Sequence, residues 1–366
     1  MRRARVVARR QRCRCQSWRP PPIKELSWPG RVRALFRRAP QTMHFIGVFN
    51  RDGGTLRTLD LAEFCQQADA IFAAAGHSFE CRVCAGGELV DTLRRASRDP
   101  KADAILAAGG DGTISAAATA CFESQVPLAV LPAGTMNLFA HSLKMPLDLE
   151  EALEAVAAGS VDAVDIATAN GAPFIHQFAV GLHARLIRRR EGITYNGRIG
   201  KVFASTRAVF RALMQPLRFD AEIRTSRGKE LRKASAISVS NNLLSEGHAP
   251  YAEKIDQGIL GVYVVKPLPP LELARLLFTL MFGSWKHHRG VSEREVTQVT
   301  LRFPHRKSSA QAVIDGELVP LEKLVDLRIH PRGLKVVLPG QTARERSQAA
   351  EDTADTGTPS ILLMSV

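Results

Sequence analysis

Nowhere in the 366 residues is there a run of about 18 uninterrupted apolar residues, the least that spans a bilayer as a helix. The nearest approach, Leu271 to Trp285, is too short and carries Glu272 and Arg275. A membrane-spanning helix is therefore not expected. Cysteine is scarce: six residues are too few for a disulfide scaffold and suit a reducing compartment. Acidic side chains are almost missing from the first 42 residues, where thirteen Lys or Arg face one acid, Glu25. That stretch holds +12 of the formal net charge of +14, so the remaining 324 residues carry only +2. Nucleic-acid binding, the usual inference from so basic a chain, would rest on this segment alone and is not expected of the rest. What remains is ordinary: 45% hydrophobic and 23% charged residues exclude a disordered or collagen-like chain. The length suits about two domains.

The organisation follows from the spacing of apolar runs. Residues 1–42 are Arg-rich, contain Pro20-Pro21-Pro22 and lack the apolar run of a signal peptide. They read as a transit peptide, as a basic arm touching anionic lipid, or as upstream sequence wrongly included before a start at Met43. The last is favoured because the first strand follows at once, Met43 to Phe49. Over residues 43–146, apolar runs at 44–49, 79–83, 103–107 and 127–131 alternate with helical stretches, the pattern of βαβ units and a parallel sheet. A further helix is expected near 149–158. The pattern differs over residues 147–340. Asn170-Gly171 is a hairpin signal, and strand-like runs near 218–225, 230–240, 259–266, 296–303, 310–314 and 324–338 imply an antiparallel, sandwich-like domain. Helices are expected near 183–214 and 271–286 within it. Residues 341–366 are small and polar and read as a loose tail.

The chemistry concentrates at strand-to-helix junctions. Gly109-Gly110-Asp111-Gly112-Thr113 follows a predicted strand and opens a predicted helix at Ile114-Ser115. Glycines there let backbone approach a phosphate, and the helix start offers unpaired N–H groups to an anion. Asp111 cannot bind phosphate itself, but it can hold Mg²⁺ or orient the attacking group. A capped tight turn is the plainer reading of a bare Gly-Gly pair. Two further junctions favour the phosphate reading: Pro132-Ala133-Gly134-Thr135-Met136-Asn137, and Asn50-Arg51-Asp52-Gly53-Gly54. Parallel strands bring such loops to one sheet edge, where α/β folds place ligands. Cys81 and Cys84 have metal-like spacing, but in a strand they point to opposite faces, and the second pair a zinc site needs, Cys13 and Cys15, lies in the basic segment. The cationic run from Arg185 to Arg211 reads equally as a solvated helical face or as a surface for anionic headgroups.

These pieces, in this order, resemble the diacylglycerol kinase catalytic family, which includes bacterial lipid kinases and sphingosine kinases. The resemblance rests on Asn50 with Gly53-Gly54, Gly109 to Thr113, Pro132 to Asn137, the segment from Asp165 to Gly181, and Asp315-Gly316-Glu317, and it covers essentially all of 43–340. It implies a nucleotide-binding α/β domain followed by a β-rich one, ATP and Mg²⁺ as cofactors, and a lipid hydroxyl as acceptor at a membrane surface. Asn50, Gly53, Gly54, Gly109 to Ser115, Gly134, Thr135 and Asn137 would line ATP, with Cys84 near the adenine. Glu317 falls where the bacterial members place their proton acceptor, with Asp315 beside it, whereas the sphingosine kinase branch would make Asp111 the base. Without the resemblance, Asp-Gly-Glu is an ordinary hairpin turn. Four positions depart from the family pattern: Leu138 where Asp is frequent, Gln257 with Asp256 beside it at a metal loop, His176 where Asn is common, and Arg51 where Pro is usual. The implied setting is cytoplasmic and peripheral to a membrane; a homodimer is left open. The rival readings are an NAD kinase-like enzyme with a soluble substrate and a non-catalytic nucleotide- or lipid-binding regulator.

Overall fold

A computed structural model describes residues 42–182, 184, 185, 187, 218–245, 251–281 and 285–340. The basic segment before Thr42, the tail after Gly340 and most of the arginine-bearing helix expected at 183–214 lie outside the described residues.

The first half folds as its periodicity requires. Helix α1 (Leu61–Ala74) starts where the Asp60 carboxylate accepts the Ala62 and Glu63 N–H groups, and it buries Phe64, Ala68 and Phe72, one face at four-residue spacing. Strands β1 (His44–Asn50), β2 (Ser78–Cys84), β3 (Ala104–Gly109) and β4 (Leu128–Pro132) are parallel in the order β2-β1-β3-β4. Every residue of β3 and β4 is buried, as befits strands covered on both faces. Helices α2 (Leu89–Ser97), α3 (Asp111–Ser124), α4 (Leu138–Leu143) and α5 (Leu149–Ala157) complete this half. The buried face of α3 is nearly all small, with Ala117, Ala118, Ala120 and Cys121.

The second half is antiparallel, and one strand joins it to the first. β16 (Leu324–Leu338) meets β4 in parallel through Val336 and Leu128, and it pairs antiparallel with β13 (Gln298–Arg302) and β5 (Ser160–Ala169). β5 also pairs with the short β6 (Ala172–Phe174). Beyond β13 the same sheet continues through β8 (Phe219–Thr225) to β9 (Gly228–Ala234). A second sheet runs β12 (Val291–Val296), β11 (Leu260–Val265), β10 (Ala236–Asn241), β7 (Gln177–Gly181), β14 (Gln311–Ile314) and β15 (Glu317–Pro320). Between the two sheets lies a separate core that includes Phe174, Phe178, Ile237, Val262, Leu301 and Leu327.

The structure amends three sequence readings. The single strand expected over 230–240 is two, broken at Ser235, where the chain leaves one sheet for the other and Ser235 N–H donates to Val265 O. β12, with the sequence Val-Ser-Glu-Arg-Glu-Val, is an edge strand too polar to read from its apolar pattern. The reducing compartment suggested by so few cysteines gave no hint of a disulfide, yet Cys65 and Cys81 form one because α1 packs on β2 and brings their Cα atoms to 5.9 Å. Cys84 and Cys121 are the free cysteines among the described residues.

Candidate active site

Three loops leave the carboxyl ends of β1, β3 and β4 side by side, and backbone contacts lock them together. Ala133 N–H donates to Gly109 O, Thr55 N–H donates to Ala133 O, and Gly53 N–H donates to Asn50 O. The Asn50 side chain ties its loop to α3, with Nδ2 donating to Thr113 Oγ1 at 3.2 Å and Oδ1 accepting Asp52 N–H at 3.1 Å. Asp52 Oδ2 accepts Gly86 N–H at 2.8 Å, which draws in the loop after β2. Gly54 has φ +44°, and a Cβ there would collide with the Ala133 carbonyl. A Cβ on Gly134 would lie 2.5 Å from Gly110 Cα. The loops therefore touch backbone to backbone, leaving exposed main chain at the start of α3. Such an edge accepts a phosphate.

Asp111 organises the third loop. Its Oδ2 accepts Asn137 N–H at 3.1 Å and its Oδ1 accepts Leu138 N–H at 2.7 Å, so it caps the start of α4 from another chain segment. Asn137 stands at φ +48° and folds its side chain back, Oδ1 accepting Gly134 N–H at 2.9 Å and Nδ2 donating to Gly134 O at 3.1 Å. Each Asp111 oxygen keeps a further lone pair. A hard cation held by one or two carboxylates, phosphates and water would find a suitable donor there. Asp256 is exposed on its loop. No group of three His, Cys, Asp or Glu side chains converges among the described residues.

The β14–β15 hairpin comes to this edge from the far end of the sequence. At its turn Asp315 takes φ +46°, and its carboxylate is 7% exposed and fully engaged. Oδ2 accepts from Ser115 Oγ at 2.8 Å and Ile175 N–H at 2.8 Å; Oδ1 accepts His176 N–H at 2.9 Å and Gln177 N–H at 3.0 Å. Asp315 is thus a bracket between α3, the segment before β7 and the hairpin, two residues from Glu317 in the same turn. Glu317 differs. It is exposed, and its carboxylate makes no hydrogen bond or ion pair among the described residues. A Cβ placed on Gly112 would lie 3.5 Å from Glu317 Oε1, so this carboxylate stands over the phosphate loop.

Of the residues expected to line a nucleotide, Asn50, Gly53, Gly54, Gly109, Gly110, Asp111, Gly112, Thr113, Gly134, Thr135 and Asn137 gather at this edge. Ile114 is 4% exposed and packs into the core under α3, and Ser115 turns to Asp315. The Cys84 side chain is buried in the same core; burial pushes its thiol up, and only its carbonyl meets the loop, accepting Arg51 N–H at 3.0 Å. His176, noted in the sequence only as a departure, reaches the site as well. Its Nε2 lies 4.0 Å from Asp111 Oδ1, and its ring meets Phe139 edge-on with centroids 6.1 Å apart.

The chain is similar to known proteins. The sequence profile described as "Diacylglycerol kinase catalytic domain" matches residues 44–169. A "Probable lipid kinase YegS-like" of Yersinia enterocolitica is 28% identical over 65% of this chain and 79% of its own. Its namesake in Pectobacterium atrosepticum is 34% identical over 30% of this chain and 38% of its own. A crystal structure of a diacylglycerol kinase from Bacillus anthracis str. Sterne superposes with a TM-score of 0.59, covering 83% of this chain and all of that one at 16% identity, a likeness of fold. The match over residues 44–169 and these relatives support a kinase that phosphorylates a hydroxyl group. No described helix is long and apolar enough to cross a membrane.

Proposed function

We propose that this kinase transfers the γ-phosphoryl group of ATP to the hydroxyl of a lipid presented at a membrane surface, on the cytoplasmic side where ATP is supplied. The observation that carries this reading is Glu317, an unbonded carboxylate brought over Gly112 beside the three-loop edge. The backbone of Gly109 to Thr113 and Gly134-Thr135 would hold the phosphates of ATP, with Asn50 and Asp52 fixing the neighbouring loop. Mg²⁺ bound on the Asp111 side would neutralise charge on the phosphates as the reaction proceeds. Glu317 orients the acceptor hydroxyl and takes its proton. The new bond joins the hydroxyl oxygen to the γ-phosphorus, the bond to the β-phosphate oxygen breaks, and ADP leaves. Asp111 is the weaker candidate for the base because both of its oxygens already hold backbone N–H groups.

A lipid acceptor is supported by a cavity of about 600 Å³ walled by Val180, Phe219, Phe303 and Leu321, with Arg218 and Arg306 also lining it. It adjoins Gln311, which pairs with Pro320, and so lies at the opposite end of the hairpin from Glu317. An acyl chain running along the hairpin would join the two. The test is a panel of diacylglycerol, a sphingoid base and phosphatidylglycerol in mixed micelles with ATP and Mg²⁺, with mass detection of products. One lipid should gain a phosphate. Phosphorylation of NAD or another soluble compound, with every lipid untouched, would replace this reading with the NAD kinase-like one.

A further inference from the structure

We propose that His176 is a positioning residue of the phosphoryl-transfer site, donating from Nε2 to Asp111 and thereby holding the loop 134–137 against a bound nucleotide. The inference rests on the kinase reading above and goes beyond it, because it assigns work to a residue that the sequence marked only as a departure from the family pattern. The imidazole is 10% exposed, and its buried Nε2 has no hydrogen-bond partner among the described residues. A buried ring nitrogen left unpaired is costly, so a structural histidine here would have a partner or be an apolar residue. Among the described residues, the acid that Nε2 faces in an ion-pair contact is Asp111, whose Oδ1 lies 4.0 Å away.

The surroundings leave this nitrogen little else to do. The His176 backbone is held at both ends, N–H to Asp315 Oδ1 at 2.9 Å and carbonyl from Asn241 N–H at 2.8 Å. Its ring rests against Phe139, in the first turn of the same helix α4 whose start Asp111 caps through Leu138 N–H. Three contacts therefore close a triangle of His176, Asp111 and the start of α4. Shortening one side by about 1 Å makes a hydrogen bond of ordinary length. That bond would be charge-assisted, the stronger kind. Asp315, which fixes the hairpin bearing Glu317, also fixes His176, so the base and the phosphate loop share one line of contacts.

The test compares His176→Phe, which keeps a ring beside Phe139 but removes both nitrogens, with His176→Gln, whose amide nitrogen reaches about as far as Nε2. In the full chain, His176→Phe should weaken ATP affinity and lower kcat, each by about 10- to 100-fold, with the melting temperature unchanged or raised. His176→Gln should recover most of both losses. The double variant Asp111→Asn/His176→Phe should bind ATP no worse than Asp111→Asn alone, since both act through one contact. His176→Leu gives a second apolar replacement should the Phe variant fold poorly. ATP affinity within twofold of the unaltered protein in His176→Phe, a Gln variant as poor as the Phe variant, or losses that multiply in the double variant would each overturn the proposal. ATP affinity needs no lipid acceptor, so these outcomes stand even if the unaltered protein phosphorylates no lipid, a result that would sink the kinase reading separately.

Discussion

Replacing Asp315 tests whether the bracket described above holds the site together. Its carboxylate accepts three consecutive backbone N–H groups, from Ile175, His176 and Gln177, and the Ser115 hydroxyl. Asp315→Ala strands all four donors in a place that is 7% exposed. A buried donor without an acceptor costs ~1–3 kcal/mol. Taking ~1–2 kcal/mol for each of the three N–H groups, and letting the Ser115 hydroxyl rotate to another partner, gives roughly 3–6 kcal/mol. That is a large part of a typical stability of about 5–15 kcal/mol. The backbone adds to the loss, because φ +46° suits Asp or Asn better than Ala. Asp315→Asn keeps the shape and the left-handed residue but turns an NH₂ toward two donors, so its cost should be smaller, about 2–3 kcal/mol. Urea unfolding followed by fluorescence of the buried Trp285 should rank the unaltered protein above Asn and Asn above Ala. An Ala variant within about 1 kcal/mol of the unaltered protein would refute the bracket.

Further predictions concern the phosphate edge and the buried thiols. Gly110→Val places a Cβ 3.4 Å from Gly134 Cα and its methyl groups in the phosphate path, so calorimetry should find ATP binding lost while circular dichroism stays unchanged. Asp111→Asn weakens the cap on Asn137 and Leu138 and the metal side of the site, so both metal-ATP affinity and kcat should fall; unchanged nucleotide affinity would remove Asp111 from that role. Burial pushes the Cys121 thiol up to about 12, so at pH 8 only about one molecule in ten thousand carries the reactive thiolate. Peptide mapping after iodoacetamide should find Cys121 unmodified in the native protein and modified in urea; native labelling would show that α3 is packed less closely than described.

The phosphate edge was legible in the sequence because it depends on local rules: apolar runs, glycines and a helix start recur at three junctions. The hairpin that carries Glu317 was reached only through family resemblance, since nothing local in Asp-Gly-Glu tells a turn from a site. The hydrogen bonds of Asp315 were not legible because its partners, the N–H groups of 175–177, are set by pairing of β14 with β7 across more than a hundred residues. The break at Ser235 was hidden because both flanking strands have strand-like composition, and only the sheets they join distinguish them. The polar edge strand β12 and the Cys65–Cys81 pairing are likewise products of tertiary packing.

The most direct test of the account follows the γ-phosphoryl group itself. ATP labelled at the γ-phosphate, Mg²⁺ and a total lipid extract are incubated with the protein or with Glu317→Gln, and label in the organic phase is counted. The unaltered protein should move label into a lipid. The variant, at equal nucleotide affinity, should do so with kcat lower by about 10²–10⁴-fold, the range of a general base. Label that never enters the organic phase would contradict a lipid acceptor, and a Glu317→Gln enzyme with near-normal kcat would contradict Glu317 as the base.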